Sequence, residues 1–224
     1  MKKLFLSLFQ LPDSLYFRAM NFSSKLVEMA VDEFAKLPGV GRKTAFRFVV
    51  HLLKKDRDGL SGFAQTLIRL KEDTRQCKFC HNVTETEVCA ICASPGRDRT
   101  TIMVVEDIRD MIAIESTGQF NGLYHLLGGV ISPMDGIGPS DITAAHLLER
   151  VKDEKPTEII MALRTTIEGD TTNFFLYKKL KDFPVKLTTI ARGVAIGGEL
   201  EYADEITLGR SILHRMDYEK TLSR

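Results

Sequence analysis

Apolar residues in the first third of the chain recur every three or four positions, which is the spacing of amphipathic helices. The pattern predicts helices over residues 23–36, 42–54 and 60–73. Glycine and proline interrupt it at 37–41, between the first two helices, where a tight turn is expected. This region is therefore predicted to be a small helical unit.

After residue 100 the pattern changes, and short, continuously apolar runs alternate with amphipathic stretches. The runs predict strands at 101–107, 124–132, 158–163 and 185–191, and the stretches between them predict helices at 108–115, 141–152 and 172–181. Buried strands that alternate with helices are typical of a parallel sheet covered by helices. The predicted fold class is therefore α+β in several parts, with a helical N-terminal part and an α/β domain that contains the parallel sheet.

The composition is that of a globular protein, with 44% hydrophobic residues and a formal net charge of +1 among 224 residues. That length suffices for one larger domain or two small ones. Basic residues outnumber acidic ones over 21–76, whereas acidic residues outnumber basic ones over 100–195. The asymmetry suggests that the N-terminal end faces nucleic acid, although charge alone favours the alternative of a solvated surface with random charge.

No apolar run is long enough to span a bilayer, so no membrane partner is expected. Residues 1–19 contain a basic start and an apolar stretch, which together resemble a signal peptide. The stretch is short, however, and Pro12 interrupts it. We expect residues 1–19 to be a disordered or spurious extension, and Met20 to be the start of the patterned chain.

All four cysteines lie in one short segment of the chain. Cys77-x2-Cys80 and Cys89-x2-Cys92, eight residues apart, have the ligand spacing of a tetrahedral zinc site. Four thiolates close the shell, so one structural Zn²⁺ per chain is predicted; redox-active pairs or unliganded thiols are the alternatives. Clustered metal-binding cysteines favour a reducing, cytoplasmic location. His81 is surplus to this set, and we expect it to be exposed to solvent.

The turn between the first two helices resembles a helix-hairpin-helix motif. Gly39 and Gly41 allow a phosphate to approach the main chain closely, and the first N–H groups of the second helix favour an anion. Arg42, Lys43 and Arg47 add positive charge, the last two on one helix face. These five residues are predicted to bind the DNA backbone without reading bases. An ordinary helix–helix turn is the alternative.

Acidic residues follow two of the predicted strands of the α/β domain. Glu106 ends the first strand, and Glu168 and Asp170 come after the third, at strand ends where sites form in parallel sheets. The arrangement resembles a Toprim domain, in which such acids hold Mg²⁺ for phosphoryl chemistry. The later motif is Glu-Gly-Asp rather than the usual Asp-x-Asp, which speaks against Mg²⁺. The alternative is that these acids cap helices or face a partner protein.

The succession of hairpin, four cysteines and Toprim domain resembles the RecR family of bacterial recombination mediators. Further stretches carry the resemblance: Tyr124-His125, GGVISPMDGIGPSDI at 128–142, EGDTTN at 168–173 and ARGVAIGGELEYADEITLGRSI at 191–212. The similarity covers roughly residues 21–215. It divides the chain into an extension (1–19), a hairpin region (20–76), a zinc finger (77–92), a Toprim domain (100–195) and a C-terminal segment (196–224) expected to contact other subunits.

The resemblance implies a DNA clamp and adaptor that is not an enzyme. RecR proteins form ring-like homo-oligomers, commonly tetramers, that encircle DNA, and they act with RecO and RecF to load RecA onto coated single strands. Their Toprim domain serves largely as a docking surface. Two other functions stay open: a magnesium-dependent Toprim nuclease or topoisomerase-like enzyme, and a structural zinc protein without a DNA role, against which the basic hairpin argues.

Overall fold

A computed structural model describes residues 22–191, 193–194, 197 and 199–215. The predicted extension, 1–19, lies outside the described residues, as do parts of the C-terminal segment. The chain divides into two compact units, Met1–Asp73 and Thr74–Arg224. None of the described helices is both long enough and apolar enough to cross a membrane.

The described part of the first unit, residues 22–73, contains three helices: α1 (Lys25–Ala35), α2 (Arg42–Leu53) and α3 (Arg57–Glu72). The first two pack together because their apolar faces meet around the buried residues Val31, Ala45 and Val49. The third begins three residues before its predicted start, since the Asp56 carboxylate accepts a hydrogen bond from the Gly59 N–H at 3.0 Å and caps the helix there.

Helix α3 buries none of its residues within the described part of the chain. Its exposed apolar side chains include Leu60, Phe63, Leu67 and Ile68, which are 41–50% exposed. Their spacing is that of one helix face. An amphipathic helix with its apolar face in water is a candidate contact surface.

The second unit begins with a small antiparallel ribbon, β1 (Arg75–Gln76) and β2 (Val83–Thr84), and a single helical turn, α4 (Ala90–Ala93). A four-stranded sheet follows, formed by β3 (Asp98–Val105), β4 (Gly122–Leu126), β5 (Glu158–Met161) and β6 (Lys186–Thr189). Its order is β4-β3-β5-β6, and every neighbouring pair is parallel. The predicted fold class is confirmed.

Three helices connect the strands of this sheet: α5 (Ile108–Glu115), α6 (Ala144–Glu154) and α7 (Ile167–Leu180). The main core is formed where β3 and β5 meet α6 and α7, around residues such as Ile102, Leu147, Ile159 and Leu176. A short 3-10 turn, Leu200–Tyr202, and helix α8 (Glu205–Leu213) follow β6.

Two predicted boundaries lie furthest from the observed ones. The strand predicted over 124–132 ends at Leu126, and the apolar residues beyond it lie buried in a loop, because burial of an apolar run does not require sheet pairing. Helix α7 begins at Ile167 instead of residue 172, since the hydroxyl of Thr166 accepts a hydrogen bond from the Gly169 N–H at 3.2 Å and caps it. Glu168 therefore lies in the first turn of a helix.

Candidate nucleic-acid interface and metal centre

The turn between α1 and α2 leaves a helix N-terminus open. Gly39 has a φ of 78°, a left-handed conformation that favours glycine. Gly41 is the N-cap of α2 and offers no capping side chain, and the first helical bond runs from the Ala45 N–H to the Gly41 carbonyl at 2.9 Å. A Cβ atom at either glycine would meet nothing within 4 Å. The first N–H groups of α2 thus face open space that an anion can enter.

Two of the three predicted cations stand free beside this turn. Lys43 and Arg47 are exposed, one helical turn apart, and neither forms an ion pair with any residue that the structure describes. Arg42 differs, because its guanidinium binds the carboxylate of Asp32 on α1 at 2.9 Å. Lys43 and Arg47 are therefore available to phosphates, whereas Arg42 already stabilises the helix pair.

The four cysteines meet in one buried cluster, with 0–3% exposure each. The Cys80 and Cys89 sulfurs lie 3.5 Å apart, and the Cys77 and Cys89 sulfurs accept hydrogen bonds from the N–H groups of Cys89 and Cys92 at 3.3 and 3.5 Å. Tetrahedral zinc with bonds of about 2.3 Å needs sulfurs about 3.8 Å apart. The cluster fits a four-thiolate zinc ion.

The pKa values of the clustered thiols show how burial and neighbouring groups affect their ionisation. A side-chain hydrogen bond with Cys92, burial and the charge of Cys92 raise the pKa of Cys80, and burial raises the pKa of Cys89 to about 11. Burial also raises the pKa of Cys77, but hydrogen bonds from backbone N–H groups outweigh burial and lower this pKa to about 7. Four thiolates this close repel one another unless a dication neutralises them, and metal binding must therefore displace protons.

The cysteine segment is bonded to the sheet of its own unit. The Leu126 N–H, at the end of β4, donates to the Cys80 carbonyl at 2.8 Å. Arg150 on α6 is 4% exposed and donates to the carbonyls of Tyr124 at 2.6 Å and Phe79 at 3.3 Å, while its Nε pairs with Glu154 at 2.9 Å. These hydrogen bonds hold the first cysteine turn, Cys77–Cys80, against β4 and α6.

Glu106 directly follows the last residue of β3, and its carboxylate is bound by an arginine. Arg164, just after β5, donates from Nε to one carboxylate oxygen at 2.6 Å and from Nη2 to the other. Glu106 is largely buried, with a side chain 11% exposed, whereas that of Arg164 is 53% exposed. A bidentate guanidinium occupies the oxygens that a metal ion would need.

Glu168 and Asp170 lie in the first turn of α7, half-buried. Hydrogen bonds from backbone N–H and from Thr166 lower the pKa of Glu168, so it is ionised near neutral pH. Between the two acids, a Cβ atom at Gly169 would come within 2.0 Å of the Arg164 carbonyl, so only glycine fits. Within the part of the chain that the structure describes, Glu106, Glu168 and Asp170 do not form a metal-binding cluster. Their carboxylate oxygens do not all lie within 4.8 Å of one another.

The structure reveals a second group of potential ligands, His81, His125 and His146. The expectation that His81 is exposed is wrong: it is partly buried, with Nε2 2.8 Å from His146 Nδ1. Its ring also lies edge-on to His125, 5.3 Å between centroids. Burial, then the charge of Arg150, lowers the pKa of His125 to about 3, so this ring is neutral. No sequence spacing marks the group, because its members come from three separate elements.

Four protein-family models match the chain, each over a separate stretch. Their descriptions are RecR helix-hairpin-helix (residues 27–71), RecR zinc finger domain of the four-cysteine type (74–94), Toprim domain (100–191) and RecR C-terminal (193–216). The zinc-finger match covers the buried cysteine cluster, so both the family and the geometry indicate a zinc site.

Several curated relatives carry the name Recombination protein RecR. The protein of Flavobacterium johnsoniae is 55% identical over 202 residues, which are 90% of this chain and 98% of the relative. The protein of Bacteroides thetaiotaomicron is 56% identical over 202 residues, which are again 90% of this chain and 98% of the relative. That of Phocaeicola vulgatus is 58% identical over 195 residues, or 87% of this chain and 95% of the relative. The similarity spans nearly the whole length of each relative.

Proposed function

Because the chain belongs to the RecR family of recombination proteins, we propose that it acts as a recombination mediator in DNA repair, a zinc-containing clamp that holds the DNA backbone and recruits partner proteins. The observation that carries this proposal is the open N-terminus of α2, with Lys43 and Arg47 exposed and unpaired among the described residues. Backbone N–H groups and cations of this kind bind phosphates and read no bases.

The decisive experiment removes both cations. Lys43→Ala with Arg47→Ala should nearly abolish DNA binding, for every sequence alike, while circular dichroism and oligomer mass stay unchanged. Each lost phosphate contact should also lower the salt slope by roughly 0.9 on duplex DNA and roughly 0.7 on single strands. A ring repeats the contact on each subunit, which multiplies the loss.

A matched control removes the same charge elsewhere. Lys178 and Lys179 are exposed on α7, and their double alanine variant should bind DNA as the wild type does. Unaltered affinity in a folded Lys43/Arg47 variant would contradict the proposal and leave the hairpin as a structural turn.

The clamp is proposed to be a ring-like homo-oligomer, a tetramer by resemblance to the family. Exposed apolar side chains support self-association: Leu67 and Ile68 on α3, and Ile206, Ile212 and Leu213 on α8. Contiguous exposed apolar surface often marks a contact with another protein. The mass of the intact particle in solution, measured by light scattering, tests the proposal, and a monomer at micromolar concentration would contradict it.

The Toprim domain is proposed as a docking surface rather than a catalytic centre. The pairing of Glu106 with Arg164 supports this, since catalysis with Mg²⁺ would require that carboxylate as a ligand. The magnesium-dependent nuclease or topoisomerase-like enzyme is the competing function. Incubation of the pure protein with Mg²⁺ and supercoiled DNA distinguishes them, because nicks or relaxation that disappear in Asp170→Ala would establish the enzyme.

RecO- and RecF-type proteins are the proposed partners, and loading of RecA onto single-stranded DNA is the proposed outcome. The half-buried acids Glu168 and Asp170 are the candidate docking residues. Their alanine variants should keep DNA binding and lose co-sedimentation with the partner. The four clustered cysteines support a reducing compartment, the cytoplasm, as the place of action.

A further inference from the structure

Three of the five histidines of the chain converge beside the cysteine cluster. His81 follows the first cysteine turn, His125 lies in β4 and His146 lies in α6. One nitrogen of each ring lies within 4.8 Å of the others, and the ring centroids are 4.6–5.9 Å apart. Imidazole is the commonest metal-binding side chain, and three converging rings are the ligand set of many zinc sites.

His125 gives the strongest indication, because one of its nitrogens is buried and has no hydrogen-bond partner. Its Nε2 lies 3.2 Å from the Thr143 carbonyl and 3.0 Å from the Thr143 hydroxyl. A carbonyl only accepts, so Nε2 carries the proton, and the hydroxyl's own hydrogen goes to the Leu126 carbonyl at 2.8 Å. In the neutral ring, Nδ1 then presents a lone pair. The residue is 0% exposed, and no described donor reaches this atom.

A buried lone pair without a partner is costly, and native proteins rarely leave one. A metal ion satisfies it. The hydrogen bond from His125 Nε2 to Thr143 is also the outer contact that metal-binding histidines ordinarily make, as is the contact of His81 Nδ1 with Gln76 Oε1 at 3.3 Å. Because these contacts occupy the other nitrogens of both rings, His125 Nδ1 and His81 Nε2 are the atoms left to bind an ion together with His146 Nδ1.

Distances and charge are compatible with an ion. Zinc bonds of about 2.0–2.1 Å in tetrahedral geometry place ligand nitrogens about 3.3 Å apart. His81 Nε2 and His146 Nδ1, now 2.8 Å apart, would separate by roughly half an ångström. The charge of nearby Arg150 is already matched by Glu154 through Nε, and its Nη1 donates to two carbonyl oxygens.

We propose that His81, His125 and His146 form a second metal site, distinct from the four-thiolate site, which takes a borderline divalent ion such as Zn²⁺. Three neutral nitrogen ligands leave the fourth position to water or to an oxygen of a binding partner. This site joins the first cysteine turn to β4 and α6, so a bound ion would brace the zinc finger against the sheet. The proposal does not depend on the DNA-binding role.

Metal counting tests the proposal on the full-length protein. The wild type is dialysed against a small excess of ZnCl₂ and then against metal-free buffer, and zinc is counted by mass spectrometry. We expect two equivalents per chain. X-ray absorption at the zinc edge should show nitrogen at about 2.0 Å beside sulfur at about 2.3 Å.

Histidine variants locate the second ion. His146→Asn and His81→Asn should each bind one equivalent, in an all-sulfur shell; asparagine suits position 81, where φ is 61°. His51→Asn and His214→Asn, both at exposed positions, are the controls and should keep two equivalents. The remaining thiolate-bound zinc and an unchanged circular dichroism spectrum show that a variant is folded.

Three results would overturn the proposal. They are a single equivalent in the wild type, a second equivalent that persists in His146→Asn, and one ion with three sulfurs and one nitrogen. The last would mean that His81 replaces a cysteine in the first site instead of serving a second one.

Discussion

Arg164 binds both carboxylate oxygens of Glu106, through Nε at 2.6 Å and through Nη2. The two residues are 58 positions apart and meet because β3 and β5 are neighbours in the sheet, so that their carboxyl ends lie together. Glu106 is one of the three acids that the sequence predicts as possible metal ligands, by resemblance to a Toprim domain. In this protein Arg164 supplies the positive charge that compensates the Glu106 carboxylate, and both carboxylate oxygens are already bound.

Substitutions of Arg164 and of Glu106 should lower the free energy of unfolding by different amounts. Arg164→Met leaves the largely buried carboxylate of Glu106 without a partner, which costs about 1–3 kcal/mol for such a group. Glu106→Gln should cost less, because the half-exposed Arg164 is then hydrated by water. Urea unfolding measures both.

Arg109 provides the control for that comparison, since its side chain is 82% exposed in its pair with Asp107. Arg109→Met should leave the unfolding midpoint unchanged. Equal losses in Glu106→Gln and Arg164→Met would show that burial of Glu106 does not decide the energetics.

The zinc prediction concerns Cys89, which caps α4 and also belongs to the buried cluster. Cys89→Ser should remove the thiolate-bound zinc and make the segment sensitive to protease, because most of the folding free energy of such sites, on the order of 10 kcal/mol, comes from the metal. A thiol-modifying reagent should release one zinc ion per wild-type chain from this cluster.

Glu85→Ser is the matched control, at an exposed position in the same loop. It should keep its zinc and its protease resistance. Wild-type protein whose thiols are free and which yields no zinc would refute the assignment of Cys77, Cys80, Cys89 and Cys92 as ligands.

A methyl group at Gly41 tests whether phosphate approaches the hairpin. Gly41 has a φ of −76°, which alanine adopts freely, and its Cβ would enter open space. Gly41→Ala should therefore fold normally but weaken DNA binding about two- to fivefold, the size of one helix-terminus contact with an anion. Fluorescence anisotropy at fixed salt measures the loss.

Gly62→Ala on α3 adds the same methyl group in equally open space and should bind DNA unchanged. Equal DNA affinities of Gly41→Ala and Gly62→Ala would contradict the prediction and show that DNA binds elsewhere on the protein.

Acid should weaken the contact of Glu115 with Arg97 and Tyr124. Hydrogen bonds from Arg97, at 2.9 Å for the Nη1 donor, and from Tyr124, at 2.7 Å, outweigh burial and lower the pKa of Glu115. A carboxyl group whose pKa is lower in the folded protein than in the unfolded chain stabilises the fold. The stabilisation is complete at a pH above the unfolded-state pKa, and it is lost as the pH falls through the folded-state pKa. Glu115→Gln should therefore cost about 1 kcal/mol at pH 7 and progressively less below about pH 4.5.

The difference in melting temperature between wild type and Glu115→Gln, followed from pH 7 to pH 3, checks this, because loss of zinc in acid affects both proteins alike. Glu149→Gln, at an exposed position on α6, should show no such dependence. A difference that stays constant with pH would exclude ionisation of Glu115 as the cause.

Local pattern was enough to predict the succession of parts and the ligands of one metal site. The period of apolar residues distinguishes helix from strand because the two elements expose side chains every 3.6 and every 2 residues. The turns Cys77-x2-Cys80 and Cys89-x2-Cys92 each place two sulfurs near one point through backbone geometry alone. The fold class follows from the same local rules. The end of β4 at residue 126 does not, because burial of the loop beyond it depends on the rest of the fold. The start of α7 at 167 follows from a local signal that the prediction missed, since Thr166 caps a residue only three positions away.

Only the tertiary structure brought together groups that are distant in the chain. His81 and His146 are 65 residues apart, and His125 joins them because β4 runs between the first cysteine turn and α6. The same is true of Arg164, which sequence reasoning passed over and which decides the chemistry of Glu106. Nothing in the spacing of these residues encodes the contacts, since packing of the sheet and its helices sets which distant side chains meet.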